Sequence, residues 1–143
     1  LPIFTNYISI QDFGIYALAL FFGTFTSGIA NLGLTSVFER NFFEYNLLER
    51  KILLWNIILF VLFLVLILSS ITFIFKNFIA KMIFLNSDLK DFLLLAFLLQ
   101  SFKSLNLYFL TYLKNSQNAK NFTYLSIIES LLSIGIAFIL VVK

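Results

Sequence analysis

The feature that most constrains the fold is the apolar run 52–75, which contains no charged side chain. It is longer than the roughly 20 residues that a helix needs to cross a bilayer. A helix on the surface of a soluble protein carries polar residues on one face at every turn. This run carries no charge on any face, so it predicts a membrane-spanning helix.

The composition extends this prediction to the whole chain. Of its 143 residues, 61% are hydrophobic and 12% are charged, whereas a soluble domain has roughly 45–50% apolar and 25% charged residues. A soluble fold of this length could not bury so much apolar surface. We therefore expect an all-α, polytopic transmembrane helical bundle whose main partner is the lipid bilayer.

Four runs are long and apolar enough to be spans. They are 14–38, 52–75, 92–113 and 122–142. The first residues, 1–4, read as the end of a helix that begins before the sequence, and the last residues stop at a helix end. We therefore expect the chain to be a fragment, the partial N-terminal lobe of a larger membrane protein.

The charged residues lie mainly in the connections. The loops 39–51 and 114–121 hold five Lys and Arg and are expected on one side of the membrane, which the positive-inside rule makes the cytoplasm. The opposite side has Lys76, Lys81 and Lys90. The segment 76–85 is typical of a short interfacial helix, and residues 86–88 (Asn-Ser-Asp) offer an N-cap for the third span.

Several classes of function are excluded or disfavoured by what the sequence lacks. It contains no Cys and no His, which removes disulfides, thiolate and imidazole metal sites and the commonest general base. Its cations are scattered, whereas a nucleic-acid surface needs a basic stripe. There is no long loop to hold a catalytic centre. We expect no enzyme activity, no metal, no cofactor and no nucleic-acid partner.

Polar residues inside the spans are the candidate functional residues, because a charge at the helix centre costs roughly 2.5–3.5 kcal/mol on insertion. The third span has a polar stripe at near-helical spacing: Gln100, Lys103, Ser104 and Thr111. The fourth has another: Ser126, Glu129, Ser130, Ser133 and Ala137.

A short loop makes these two helices antiparallel neighbours, so Lys103 and Glu129 are expected at depths that differ by roughly 5 Å. They can pair. One interpretation is a local ion pair that holds the helices together. The other is a charge exposed to a central water-filled cavity, where a cation would attract an anionic substrate.

The first span is rich in small residues. Ala19, Gly23, Ser27 and either Ala30 or Asn31 recur about every turn, a spacing that lets helix backbones approach closely. The alternative is that this face borders a cavity or a helix that bends. Asn31 leads towards Arg40, which either snorkels to the membrane surface or grips a phosphate.

The segments 1–9 (LPIFTNYIS), 12–17 (DFGIYA), 31–37 (NLGLTSV), Arg40 and 42–45 (FFEY) follow one another in a distinctive order. This order resembles the pattern of the polysaccharide transporter family of the MOP superfamily, and the resemblance extends over essentially the whole chain. The segment 112–124 is similar to that family's loop between the fourth and fifth helices.

The resemblance implies a two-lobed protein of some twelve to fourteen helices around a central cavity. It would flip an undecaprenyl-pyrophosphate-linked oligosaccharide across a bacterial cytoplasmic membrane by alternating access, for surface polysaccharide biosynthesis. Arg40, Lys103, Gln100, Glu129 and Asn31 are the candidate cavity residues. The oligomeric state is left open.

Two other functions are considered. A small-solute or multidrug exporter of the same superfamily would couple efflux to an ion through an acidic cavity, and a Glu129 that is not paired with Lys103 would favour it. A membrane polysaccharide polymerase or glycosyltransferase would need a large extramembrane loop, which this chain does not contain.

Overall fold

The computed structural model describes residues 9–86 and 88–142, with side chains through residue 131 and at Ser133, Leu132 excepted. All of its regular elements are α-helices, as the sequence predicted. In chain order they are α1 (Ile10–Asn31), α2 (Leu34–Asn41), α3 (Leu47–Phe84), α4 (Lys90–Asn115) and α5 (Ala119–Val142). The predicted helix end at residues 1–8 lies outside the described part of the chain.

Three of these helices, α1, α3 and α4, are long and apolar enough to cross a membrane. Most of their large apolar side chains point away from the bundle, where lipid would solvate them. The described chain is thus a multi-pass membrane protein. The fourth predicted span, 122–142, falls within α5, whose second half lies largely beyond the described side chains.

The first predicted span, 14–38, is interrupted. Leu32 and Gly33 adopt left-handed backbone conformations, with φ of 47° and 73°. The N–H of Leu32 closes α1 by donating to the carbonyl oxygens of Gly28 and Ile29. The prediction of one continuous helix is therefore wrong: a glycine at residue 33 allows the positive φ at which α1 ends and α2 begins.

The second span is longer than predicted. The segment 76–85 does not form a separate interfacial helix, because α3 runs without interruption to Phe84. No Gly or Pro occurs inside α3 to stop it. A capping box starts the helix, in which the Asn46 side chain accepts from the N–H of Glu49 and the Glu49 carboxylate accepts from the N–H of Asn46.

The predicted N-cap of the third span is also corrected. The N-cap of α4 is Leu89, without a side-chain hydrogen bond. The Asn86 side chain instead accepts from the N–H of Asp88, at 2.9 Å, within the connection. Ser87 lies outside the described residues.

The small residues of α1 form a packing surface. Ala19, Gly23, Ser27 and Ala30 are all buried. A Cβ added at Gly23 would lie 2.6 Å from the carbonyl oxygen of Ala96 on α4, so the two backbones are in direct contact there. The interpretation of this stripe as a helix-packing face is confirmed at Gly23.

Aromatic rings at the end of α2 and directly after it pack against α4. Phe38 and Phe42 are fully buried. The ring of Phe38 meets Tyr108 edge-on at 6.2 Å, and that of Phe42 meets Tyr112 at 5.7 Å. Aromatic pairs in this geometry add about 0.5–1.5 kcal/mol beyond their buried area. These contacts fix the position of the segment that connects the end of α1 to the start of α3.

The connections divide the bundle into two ends, named here by the loops that they contain. At the 42–46 end, Lys114 of α4 pairs with Glu39 of α2 at 3.3 Å. The loops 39–51 and 114–121 therefore lie together, as predicted. At the 85–89 end, Lys76 of α3 pairs with Asp91 of α4 at 2.9 Å.

The Gly23 contact leads to a stability prediction. Gly23→Ala should lower the free energy of unfolding by about 1–3 kcal/mol, because the added methyl group meets a backbone carbonyl that cannot rotate away. Unfolding of the purified chain by titrating sodium dodecyl sulfate into mild detergent measures the change.

Gly28→Ala is the matched control on the same helix. A Cβ at Gly28 has no neighbouring atom within 4 Å, so this change should leave stability unchanged or raise it by up to about 1 kcal/mol through helix propensity. Equal shifts in the two variants would contradict the close contact of α1 with α4.

Candidate functional site

The break between α1 and α2 carries a polar cluster inside an otherwise apolar region. Asn31 is the last residue of α1, Thr35 lies in the first turn of α2, and Tyr108 lies on α4. The Tyr108 hydroxyl donates to the Asn31 side-chain oxygen. The Asn31 amide donates to the Thr35 hydroxyl at 3.1 Å. We call these three residues the break cluster.

The break cluster fixes how α1, α2 and α4 meet. Tyr108 is fully buried, and its hydroxyl has a partner in Asn31. A buried phenol without a hydrogen bond would cost about 1–3 kcal/mol. The Asn31 side chain bonds both to Thr35 of α2 and to Tyr108 of α4. Asn31 therefore links the two sides of the helix break to α4.

Sequence analysis identified Asn31 but missed Tyr108. The signal was present, since Tyr108 follows Ser104 by four residues and precedes Thr111 by three, the spacing of the predicted polar stripe. It was overlooked because a tyrosine within an apolar span resembles the neighbouring phenylalanines.

The predicted stripe on α4 does not form one polar surface. Thr111 is buried, Gln100 and Ser104 are half-buried, and Lys103 is exposed. Ser101, two residues before Lys103, is buried on the opposite side of the helix. Lys103 therefore points away from the core formed by α1, α3 and α4.

The predicted pairing of Lys103 with Glu129 is wrong. Glu129 accepts a hydrogen bond of 2.7 Å from the side-chain amide of Asn106, and the ion pairs of the described residues do not include Lys103. Asn106 and Glu129 are eleven and twelve residues from Gln117, at the centre of the connection between α4 and α5, so they lie at similar depths. Lys103 lies one turn deeper, by about 4.5 Å.

Arg40 lies near the 42–46 end, in the last turn of α2, and is exposed. Its neighbour Glu39 pairs with Lys114. The other arginine, Arg50, is held in place: its guanidinium stacks over the Phe42 ring at 4.6 Å and its Nε donates to the Tyr45 carbonyl at 2.8 Å. Arg40 is the arginine that is exposed.

The candidates therefore do not converge on one pocket. Asn31 joins Tyr108, and Glu129 joins Asn106, whereas Gln100, Lys103 and Arg40 lie apart. Glu39, the neighbour of Arg40, pairs with Lys114, so Lys114 marks the level of Arg40 along α4. Lys103 is eleven residues before Lys114 on α4 and therefore lies roughly 16 Å from that level. Among the described residues, no group of carboxylates could hold a metal ion.

The break cluster gives a second prediction. Tyr108→Phe should lower the free energy of unfolding by about 0.5–1.5 kcal/mol, because the ring still packs but Asn31 loses the hydroxyl of α4 that donates to it. A double-mutant cycle with Asn31→Ala should show that the two effects are not additive. The measurement is again detergent unfolding of the purified chain.

Tyr112→Phe is the matched control. Tyr112 packs against Phe42, and its hydroxyl has no hydrogen-bond partner within the described residues, so removing the hydroxyl should leave stability nearly unchanged. Additive effects in the Tyr108 and Asn31 cycle would show that their hydrogen bond does not stabilise the break.

Comparison of the chain with protein-family models, with curated proteins and with solved structures finds no match.

Proposed function

We propose that this chain is part of a membrane transporter that flips a lipid-linked oligosaccharide across the bilayer by alternating access. The observation that carries the proposal is the helix break at Leu32–Gly33. At the break, Asn31 accepts a hydrogen bond from Tyr108, which lies about 10 Å along α4 from its end at Asn115, so the break lies within the length of a helix that is long and apolar enough to cross a membrane.

A broken helix at this depth restricts what surrounds it. Non-helical backbone within the membrane is tolerated only where protein buries it or where it borders a water-filled cavity. Leu32 is 61% exposed, so the described bundle leaves one side of the break uncovered. Interrupted helices beside a cavity are typical of secondary transporters, which supports a transport function.

The exposed cations support an anionic substrate. Arg40 and Lys103 both point away from the packed core, and both are available to a ligand that approaches from outside the described helices. A pyrophosphate linker carries the charge that an arginine can bind bidentately. The order of motifs in residues 1–45 supports the same substrate class through its resemblance to the polysaccharide transporters.

A complementation experiment tests this proposal. The reading frame that encodes the chain, with its flanking sequence, should restore surface polysaccharide to a bacterial strain that lacks its lipid-linked oligosaccharide flippase. Arg40→Ala and Lys103→Ala should each lower restoration several-fold, because substrate attraction weakens.

Lys51→Ala is the control, since Lys51 is an exposed cation at the 42–46 end that is not among the cavity candidates. It should restore polysaccharide as the unaltered protein does. A well-expressed protein that restores nothing would overturn the flippase proposal, and so would Arg40 and Lys103 variants that behave like the control.

One observation favours a second candidate, an ion-coupled exporter of small solutes. Glu129 is exposed and is bonded to an amide rather than to Lys103, so its charge is not neutralised by that lysine. A carboxylate within the membrane can bind and release a proton or a cation during transport.

The exporter predicts a different mutational result. Glu129→Gln should abolish ion-driven efflux of a cationic dye from vesicles that contain the transporter, because the amide cannot carry the coupling charge. Asn106→Ala should reduce efflux only partly, since the carboxylate remains. Dye efflux that is unaffected by Glu129→Gln would rule out this candidate.

A further inference from the structure

The Arg50 guanidinium is fixed in position at the start of α3. It stacks over the Phe42 ring, 4.6 Å from the ring centre, and its Nε donates to the Tyr45 carbonyl oxygen at 2.8 Å. Phe42 is fully buried, and its ring meets those of Phe38 and Tyr112 edge-on. The guanidinium therefore rests on a ring that belongs to the packed core, and this contact together with the Nε hydrogen bond sets its orientation.

Most of the hydrogen-bonding capacity of this guanidinium is not used within the described residues. A guanidinium has five N–H donors, and the hydrogen bonds of the described chain engage only the Nε of Arg50. The other four donors belong to its two Nη atoms. Arg50 is half-buried and not enclosed, which leaves its side chain within reach of a ligand outside the bundle.

The carboxylates close to Arg50 in the sequence do not neutralise it. Glu49 is engaged in the capping box of α3, and Glu39 pairs with Lys114. Glu44 lies in the connection before α3, and the ion pairs of the described residues do not include it. In the described part of the chain, the charge of Arg50 is thus balanced by no carboxylate.

The position of Arg50 favours a bound anion. Arg50 is the fourth residue of α3 and lies in its first turn, where the helix dipole stabilises negative charge and disfavours an unaccompanied cation. The uncharged run 52–75 begins two residues later, so Arg50 lies where this span leaves the membrane. Lipid phosphates and phosphate dissolved in water are both present at such a boundary.

We propose that Arg50 is the centre of an oxyanion-binding site that takes a phosphate group through the N–H donors of its Nη atoms. Arginine binds phosphate through two parallel hydrogen bonds, and a guanidinium that is already held in place loses little conformational freedom on binding. The site does not include Arg40 or Lys103, and it does not depend on what the protein transports.

Native mass spectrometry of the purified chain in neutral detergent tests the site. The chain is titrated with phosphatidylglycerol and, separately, with diacylglycerol of the same acyl chains, which lacks the phosphate. Phosphatidylglycerol should bind more tightly. Arg50→Gln should weaken its binding about tenfold, because charge-assisted hydrogen bonds to the phosphate are lost, and should leave diacylglycerol binding unchanged.

Two further variants separate a built site from general charge attraction. Arg50→Lys keeps the charge but not the two parallel hydrogen bonds, so it should weaken phosphatidylglycerol binding several-fold; it also decides the question if Arg50→Gln does not fold. Lys51→Gln removes the adjacent exposed cation and should change the affinity less than about twofold. Equal losses in the Arg50→Gln and Lys51→Gln variants would overturn the proposal, and so would an Arg50→Lys variant that binds as tightly as the unaltered chain.

Inorganic phosphate distinguishes the two sources of the ligand. If millimolar phosphate displaces phosphatidylglycerol and chloride at equal ionic strength does not, the site also takes phosphate from water. If phosphatidylglycerol stays bound in both salts, the ligand is a lipid phosphate. Displacement by both salts alike would overturn the proposal, because screening of a general charge attraction would then explain the binding.

Discussion

The contact between α1 and α4 at Gly23 and Ala96 is the one on which the rest of the bundle depends. Apolar side chains gain nothing by leaving lipid for a protein interior, so membrane helices associate through close packing and interhelical hydrogen bonds. Gly23 brings the two backbones together. That approach places the end of α1 beside Tyr108, where the break cluster forms, and it sets where α2 can dock.

Much of the fold was predictable from the sequence because hydrophobicity over about 20 residues is a strong signal in a membrane protein. The interruption at Leu32–Gly33 was not predictable in this way, since both residues sit in an apolar run that looks continuous. The uninterrupted α3 was missed for the opposite reason. Its charges at Lys76 and Lys81 indicate a separate interfacial helix, although nothing before them stops the spanning helix.

The candidate site was less predictable than the fold, because partners across helices depend on register. Counted from the connection between α4 and α5, Lys103 and Glu129 lie at depths that differ by about one turn. That difference determines which side chain of α4 forms the hydrogen bond with Glu129. Asn106 lies at a depth similar to that of Glu129 and takes the hydrogen bond. Tyr108 illustrates the same limit, because its importance comes from Asn31, which is distant in sequence and adjacent only in the folded bundle.

Helix α4 is bound to each of its neighbours by a different polar contact at a different depth. Asp91 joins it to α3, Tyr108 to α1, Asn106 to α5 and Lys114 to α2. A rotation or shift of α4 would therefore change all four contacts together. Packed helices move between discrete arrangements, so in the proposed alternating access a movement of α4 would act on both the helix break and the Glu129 carboxylate.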